Sequence, residues 1–297
     1  MNTSSLLQEA VTKLPSEETA KRLQKLLPEN PFHIPSGLAR ELADKLNLSI
    51  PQLMAELTPI ARPHALTDIS DYSVGSCAMG LTGDLYLGVN LEFAEQHIDQ
   101  TVHSEQFVST NALCHHEKGL KLLVVSSAPC GYCRQYLNEL KCADELVVSV
   151  IGRGTMKLSE LLPMAFGPGD LNIEGGLMET IEEPISFEAP DELAAKALEA
   201  ANHSYAPYSR CNSGVALHTK QGEYFLGWYA ENAAFNPSMM PMQSALIMLL
   251  AGLRTFADID GAAIVERKPC KLTNMKAAEI LLNTVAPQAA LQKYYGA

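Results

Sequence analysis

The sequence predicts a layered α/β protein in which one unit occurs twice behind a short helical lead. Three observations carry that prediction. From Tyr72 onward, short apolar β-like runs alternate with helix-like stretches. The chain has 297 residues, room for about two domains of ordinary size. Sliding the sequence against itself by 139 positions lays one hairpin-like segment on another.

The first 60 residues read as helical. Leu6, Leu7, Ala10, Val11 and Leu14 recur at helical spacing, and Leu23, Leu26 and Leu27 follow the punctuation at residues 15–18. Residues 36–46 and 51–60 give two further short helices, and nothing in this lead carries chemistry, so a packing layer is expected. Residues 73–81 and 85–90, joined at Gly83 and Asp84, read as a hairpin. A helix-like stretch over 100–116 precedes a nearly unbroken apolar run at 120–127, the pattern of a strand covered on both faces. A helix opened by proline at 129–141 and a strand at 145–152 follow. The acidic stretch 170–190, with Gly175, Gly176, Pro184 and Pro190, shows little periodicity and supplies the linker; 191–202 is again helical, and β-like texture returns at Ser213. The organisation expected is a helical segment at 1–48, a first copy at 49–169, a linker at 170–186 and a second copy at 187–297.

Composition narrows the function. With 47% hydrophobic residues the chain can bury a core, and 22 Lys and Arg against 34 Asp and Glu give a net charge of −12. That balance offers no basic footprint for a phosphate backbone, so nucleic acid is not an expected partner. The apolar run 245–250 falls far short of the ~20 residues a membrane span needs, and residues 1–30 do not read as a secretory leader. The seven cysteines, Cys77, Cys114, Cys130, Cys133, Cys142, Cys211 and Cys270, are odd in number and scattered, which suits a reducing, cytoplasmic setting. Cys77, Cys114, Cys142 and Cys211 have no metal-like spacing and read as small buried hydrophobes.

The repeat separates two fates. Gly75 falls on Gly214, Gly83 on Gly222, Leu87 on Leu226, Gly88 on Gly227, Glu92 on Glu231 and Ala94 on Ala233. In the same register His103 meets Met242 and Glu105 meets Ser244; one inserted residue later Pro129 and Cys130 meet Pro269 and Cys270, while Cys133 meets Thr273. Chemistry built from those polar groups is therefore expected once per chain, with Cys270 a remnant.

His103-Ser104-Glu105, followed by Pro129-Cys130-Gly131-Tyr132-Cys133, is the strongest signal. A lone Cys-x-x-Cys is often a redox pair or structural zinc pair, and a lone His-x-Glu is mostly surface. Together they make two thiolates and an imidazole, the latter with a carboxylate two residues on. Cys130 and Cys133 share a face at a helix start, where the dipole favours thiolate. Three protein ligands leave a Zn²⁺ position open for water, and a carboxylate nearby can serve as acid and base.

His-x-Glu with Pro-Cys-x-x-Cys is the known signature of zinc-dependent nucleobase deaminases. Segments 88–92, 101–106, 129–135, 165–168 and 229–237 extend the match, and the chain resembles the large, duplicated bacterial cytidine deaminases over nearly its whole length. The resemblance implies a duplicated three-layer α/β/α fold and one Zn²⁺ per chain on His103, Cys130 and Cys133. It implies Glu105 as the proton carrier for hydrolysis of cytidine and 2′-deoxycytidine to uridine and 2′-deoxyuridine, a reaction of pyrimidine salvage. Asn90 and Glu92, with Leu91 between them, correspond to the segment that holds the ribose; two apart on a strand, they share a face. Tyr72 stands where the family usually has a phenylalanine against the pyrimidine, and Ser104 replaces a usual alanine. Phe166 and the Ala233–Phe235 region are expected to complete the pocket of a neighbouring subunit in a homodimer. Two other functions share parts of the motif. A polynucleotide base editor would need a basic, aromatic-lined surface that this acidic chain does not supply. A zinc-stabilised interaction protein would have no use for Glu105 or an open coordination position.

Overall fold

The computed structural model describes residues 3–8, 15–179 and 184–297, so Ala10, Val11 and Leu14 of the helical lead and residues 180–183 of the expected linker lie outside the described residues. The chain divides into two compact units: residues 1–92, 101–170 and 174–179 form the first, and 93–100, 171–173 and 180–297 the second.

In the first unit, α1 (Thr3–Gln8), α2 (Glu17–Leu26), α3 (Ser36–Leu46) and α4 (Ile50–Ala61) make up the lead, interrupted by a two-residue edge strand, β1 (His33–Ile34). Sequence explains the starts. Ser16 accepts from Thr19 N, and Ser49 and Gln52 close a capping box at the head of α4. The rest comprises β2 (Gly75–Gly80), β3 (Leu85–Val89), α5 (Ser104–Cys114), β4 (Leu120–Val125), α6 (Gly131–Leu137), β5 (Val147–Val150), β6 (Gly154–Lys157) and the short α7 (Leu158–Leu161). The six strands form one mixed sheet in the order β1-β3-β2-β4-β5-β6, with β4 and β5 parallel.

Two glycines explain the layers. Ser76 pairs with Gly88, so both face one side of the sheet, and a Cβ at Gly88 would lie 2.6 Å from Val108 N and 2.8 Å from Ser104 O of α5. Gly75, one residue earlier, faces the other side, where a Cβ would lie 2.4 Å from Thr58 O of α4. The helices therefore cover opposite faces, as the three-layer expectation requires. Helix α5 is buried from Ser104 to Leu113. That is why its sequence shows no clean apolar stripe.

The second unit repeats this plan with fewer strands. Helix α8 (Glu192–Asn202), β7 (Ser213–Thr219), β8 (Tyr224–Trp228), α9 (Pro241–Ala251), β9 (Ile259–Arg267), α10 (Met275–Val285) and β10 (Leu291–Gly296) build a four-stranded sheet, β10-β9-β7-β8, with β9 and β10 parallel. Gly214 faces α8 and Gly227 faces α9, as Gly75 and Gly88 face α4 and α5. Gly83 and Gly222 hold φ of +90° and +80° in the hairpin turns, a conformation that favours glycine. Within the expected linker, Leu177 and Met178 are buried in the first unit, where Leu177 bridges to Leu140, and Ile185 joins the core of the second with Ala197, Ala201 and Val265.

The structure corrects the repeat register past the hairpin. Leu91 pairs with Val102, whereas its counterpart Ala230 pairs with Met239, so the second loop is two residues shorter. His103, N-cap of α5, therefore matches Met240, N-cap of α9, and Glu105 matches Met242. The loop ahead of α10 is longer: Cys130 is itself the N-cap of α6, but the N-cap of α10 is Asn274, and Cys270 stands four residues before it. Cys270 therefore does not cap its helix as Cys130 does. Among the described residues no helix is long and apolar enough to cross a membrane.

Candidate active site

Two helix starts in the first unit converge. His103 has extended φ and ψ of −81° and 156° and caps α5, with its N–H donating to Gln106 Oε1 at 3.1 Å. Cys130 caps α6, which places Cys133 in the first turn of that helix. Arg134 braces this loop by donating to Pro129 O at 2.9 Å and to Leu161 O at 2.8 Å. The result is a triangle. His103 Nδ1 lies 3.2 Å from Cys133 Sγ and 3.5 Å from Cys130 Sγ, and the two sulfurs are 3.5 Å apart. Zinc bonds of about 2.3 Å to sulfur and 2.0–2.1 Å to nitrogen put neighbouring donors of a tetrahedron roughly 3.5–3.8 Å apart. The donor set therefore fits zinc, with Nδ1 as the ligating nitrogen.

Electrostatics divide the two thiols: the bond to Cys130, with burial and the Glu105 carboxyl, pushes the Cys133 thiol well above the ordinary range. The bonds from Cys133 and His103 hold the Cys130 thiol far below the ordinary thiol range, while the bond to Cys130 raises the His103 imidazole. Glu105, in the first turn of α5, is 4% exposed and shares a hydrogen bond with Cys133; burial pushes its carboxyl upward.

A cavity of about 250 Å³ opens over the triangle, with His103, Ser104, Glu105, Cys130 and Thr101 on one side and Asn90, Glu92, Ser70, Tyr72, Val74, Ser127 and Ala128 completing the wall. Asn90 and Glu92 follow the end of β3, and both line the cavity. Glu92 accepts from Ile69 N and Ser70 N at 2.9 Å each and from Ser70 Oγ at 2.5 Å. Asn90 accepts from Val74 N at 2.8 Å and donates to Tyr72 O at 3.0 Å. Both side chains thus brace the loop that carries Tyr72. Tyr72 is 60% exposed, and its hydroxyl meets Ser127 Oγ at 2.8 Å.

The other expected site residues fall in different places, and only Leu91 departs from its expected position at the cavity. Leu91 does not line the cavity: strand alternation turns it to the opposite face, where it is fully buried. Ser104 borders the cavity, yet its hydroxyl is 2.7 Å from Ser76 Oγ and 3.0 Å from Gly88 O, tying α5 to the sheet. Phe166 and Ala233 are not among the residues lining this cavity. Phe166 is a half-exposed loop residue whose carbonyl accepts from Gln135 and Asn138, and Ala233 is buried in the second unit. Sequence reading missed Ser70, Val74, Ser127 and Ala128 as wall residues. Only Ser127 and Ala128, next to Pro129-Cys130, carried a local signal.

The second unit keeps part of this architecture. Glu231 accepts from Tyr208 N at 2.8 Å and Ser209 N at 3.1 Å, as Glu92 does from Ile69 and Ser70. The helix start that bears the imidazole and carboxyl in the first unit bears Met240 and Met242 in the second. Among the described residues a different group, Cys211, Glu266 and Cys270, comes together there.

Comparison with known proteins finds two matches to family models described as the cytidine and deoxycytidylate deaminase zinc-binding region, at residues 50–150 and 158–279. A cytidine deaminase of Vibrio vulnificus is 41% identical over 83% of this chain and 84% of its own length. One from Aliivibrio fischeri is 37% identical over 91% of this chain and 98% of its own, and one from Pectobacterium atrosepticum 41% identical over 84% and 86%. A solved cytidine deaminase from Mycobacterium tuberculosis, 28% identical, covers 37% of this chain and 91% of its own, with a TM-score of 0.34.

Proposed function

The chain belongs to the cytidine and deoxycytidylate deaminase family, and from that premise we propose which of its residues perform the reaction. The reaction is zinc-dependent hydrolytic deamination of cytidine to uridine, with release of ammonia. One observation carries the residue assignment: two thiols and an imidazole cluster at the cavity that a buried carboxyl also lines.

His103 Nδ1, Cys130 Sγ and Cys133 Sγ hold the zinc. When bound there, the ion supplies a Lewis acid that brings the pKa of a water toward neutrality. Glu105 takes a proton from the attacking water and delivers protons to N3 of the pyrimidine and to the departing amine, so that water and cytidine leave as uridine and ammonia. Asn90 and Glu92 hold the ribose 3′-hydroxyl. The Asn90 amide also bonds to Glu92, so the two present a linked amide and carboxylate, braced by Ser70, Ile69 and Val74, to the sugar hydroxyl. Because the 3′-hydroxyl is common to both sugars, 2′-deoxycytidine is a substrate as well. The Tyr72 ring forms a wall for the base, with Ser104 contributing backbone beneath it.

We further assign catalysis to residues 49–169 and read 187–297 as a non-catalytic copy retained for assembly. Two chains form a homodimer in which Phe166 and the Ala233 region reach the neighbour's cavity. Sedimentation equilibrium should give twice the 32.2 kDa chain mass; a monomer with full turnover would remove that part of the reading. We read the protein as cytoplasmic, in keeping with seven cysteines that are odd in number and scattered along the chain.

The reaction assignment is tested by supplying cytidine, 2′-deoxycytidine, dCMP and a cytosine-containing oligonucleotide and measuring ammonia. The nucleosides should react and the oligonucleotide should not. An inert cytidine beside a reacting oligonucleotide would overturn the substrate assignment.

A further inference from the structure

The second unit holds a cluster that spacing alone did not reveal. Cys211 and Glu266 are fully buried and Cys270 partly so, and their donor atoms lie within 4.8 Å of one another. Both thiols donate to one acceptor, Leu272 O, at 3.3 Å from Cys211 and 2.9 Å from Cys270. Glu266 accepts from Asn274 N at 2.7 Å and lies 3.9 Å from Cys270 Sγ. The Lys268 ammonium sits 3.1 Å from Glu266 and 3.4 Å from Cys270 Sγ. Strand pairing fixes where this is in the fold. Ser76 pairs with Val125 and Val215 with Ile264, so Cys211 and Glu266 occupy the places of Tyr72 and Ser127, the pair across the mouth of the first unit's cavity.

We propose that this cluster is an accessory binding site for a soft divalent cation of the zinc class. It is held by Cys211 Sγ, Cys270 Sγ and a Glu266 oxygen, with Leu272 O as the nearest fourth donor. Two thiols beside a carboxylate form a donor set that zinc accepts, and sulfur–oxygen edges of a zinc tetrahedron run roughly 3.5 Å, the range already spanned around Leu272 O and Glu266. Binding is acid–base chemistry without electron transfer: each thiol gives its proton to solvent, and the two thiolates and the carboxylate take the ion. Lys268 now stands as the cation of the set and must leave. Its side chain is 38% exposed, and its ammonium also lies 5.0 Å from the Tyr295 ring, which offers it an alternative seat. An ion here would staple the β7 entry to the long loop before α10, on the copy that has lost the catalytic donors.

The proposal is independent of the catalytic assignment, because the count of ions and the release of ammonia are separate readouts. The full-length chain is saturated with zinc, and ions per chain are counted by native mass spectrometry and elemental analysis. Wild type should hold two. Cys211→Ser and Cys270→Ser should each hold one, with cytidine turnover within about twofold of wild type. Lys268→Met should hold two and bind the second roughly tenfold more tightly, because a competing positive charge is gone. That gain cannot come from misfolding, so it decides the matter even if a buried serine unfolds the second unit. A single ion in saturated wild type, a second ion indifferent to Cys211 and Cys270, or recovery of the two cysteines as a disulfide with no second ion would overturn the proposal.

Discussion

Glu92 is nearly out of solvent yet ionised: burial pushes its carboxyl up, and the donors on Ser70 and Ile69 more than offset this, so the net shift is downward. A folded pKa below the unfolded value of about 4.3 means that Glu92 contributes stability in full above that pH, and that this contribution fades as pH falls through the folded value. Wild type should therefore lose thermal stability below about pH 4.3 more steeply than Glu92→Gln. Parallel acid profiles for the two proteins would show that Glu92 does not hold the 69–74 loop as a carboxylate. The pairing of Asn90 with Glu92 was legible because strand residues two apart must share a face; the same rule turns Leu91 away, and only the resemblance had placed it in the site. Ser70 was not legible, since a serine in a loop declares nothing until the fold brings it to Glu92. Cys211 and Cys270 were invisible for the same reason. They lie far apart in the chain and meet only through the pairing of β7 with β9.

Among the elements, the contact of α5 with β3 matters most, because α5 carries His103 at its cap and Glu105 in its first turn. Gly88 sets that distance. A methyl group there would sit 2.6 Å from Val108 N and 2.7 Å from Val108 Cβ, so Gly88→Ala must push the helix start outward. Overpacking of this kind costs about 2–3 kcal/mol, and both chemical unfolding and zinc retention should fall together. Unchanged stability with unchanged zinc would show that α5 is not pinned there. Gly227 stands at the same contact with α9, where a Cβ would lie 2.0 Å from Ala245 N, which gives the repeated glycine a physical cause. Element types were legible where apolar runs or caps were strong, as at β4 and α3 in the first unit and α8 in the second. The two-residue β1 and the half-buried β6 were not, because such short pieces are fixed by pairing with β3 and β5. Sliding the sequence found the duplication but misregistered α9, since loops of different length are silent in an ungapped comparison.

At the scale of the whole molecule, the chain is one fold written twice with its chemistry written once. Both units keep a central hairpin with helices on opposite faces, but only the first places an imidazole and a carboxyl on the helix start and two thiols on the next. The net charge of −12 sharpens the substrate assignment, because it favours a free nucleoside over a polynucleotide. Removing the first unit's carboxyl while keeping its metal ligands isolates the claim that Glu105 carries the protons. The measurement is ammonia release from cytidine by Glu105→Gln and wild type, with zinc determined on the same samples. Glu105→Gln should retain the wild-type zinc content and turn over slower by about 10³-fold or more, combining lost acid and base roles. Near wild-type turnover at unchanged zinc would contradict the account.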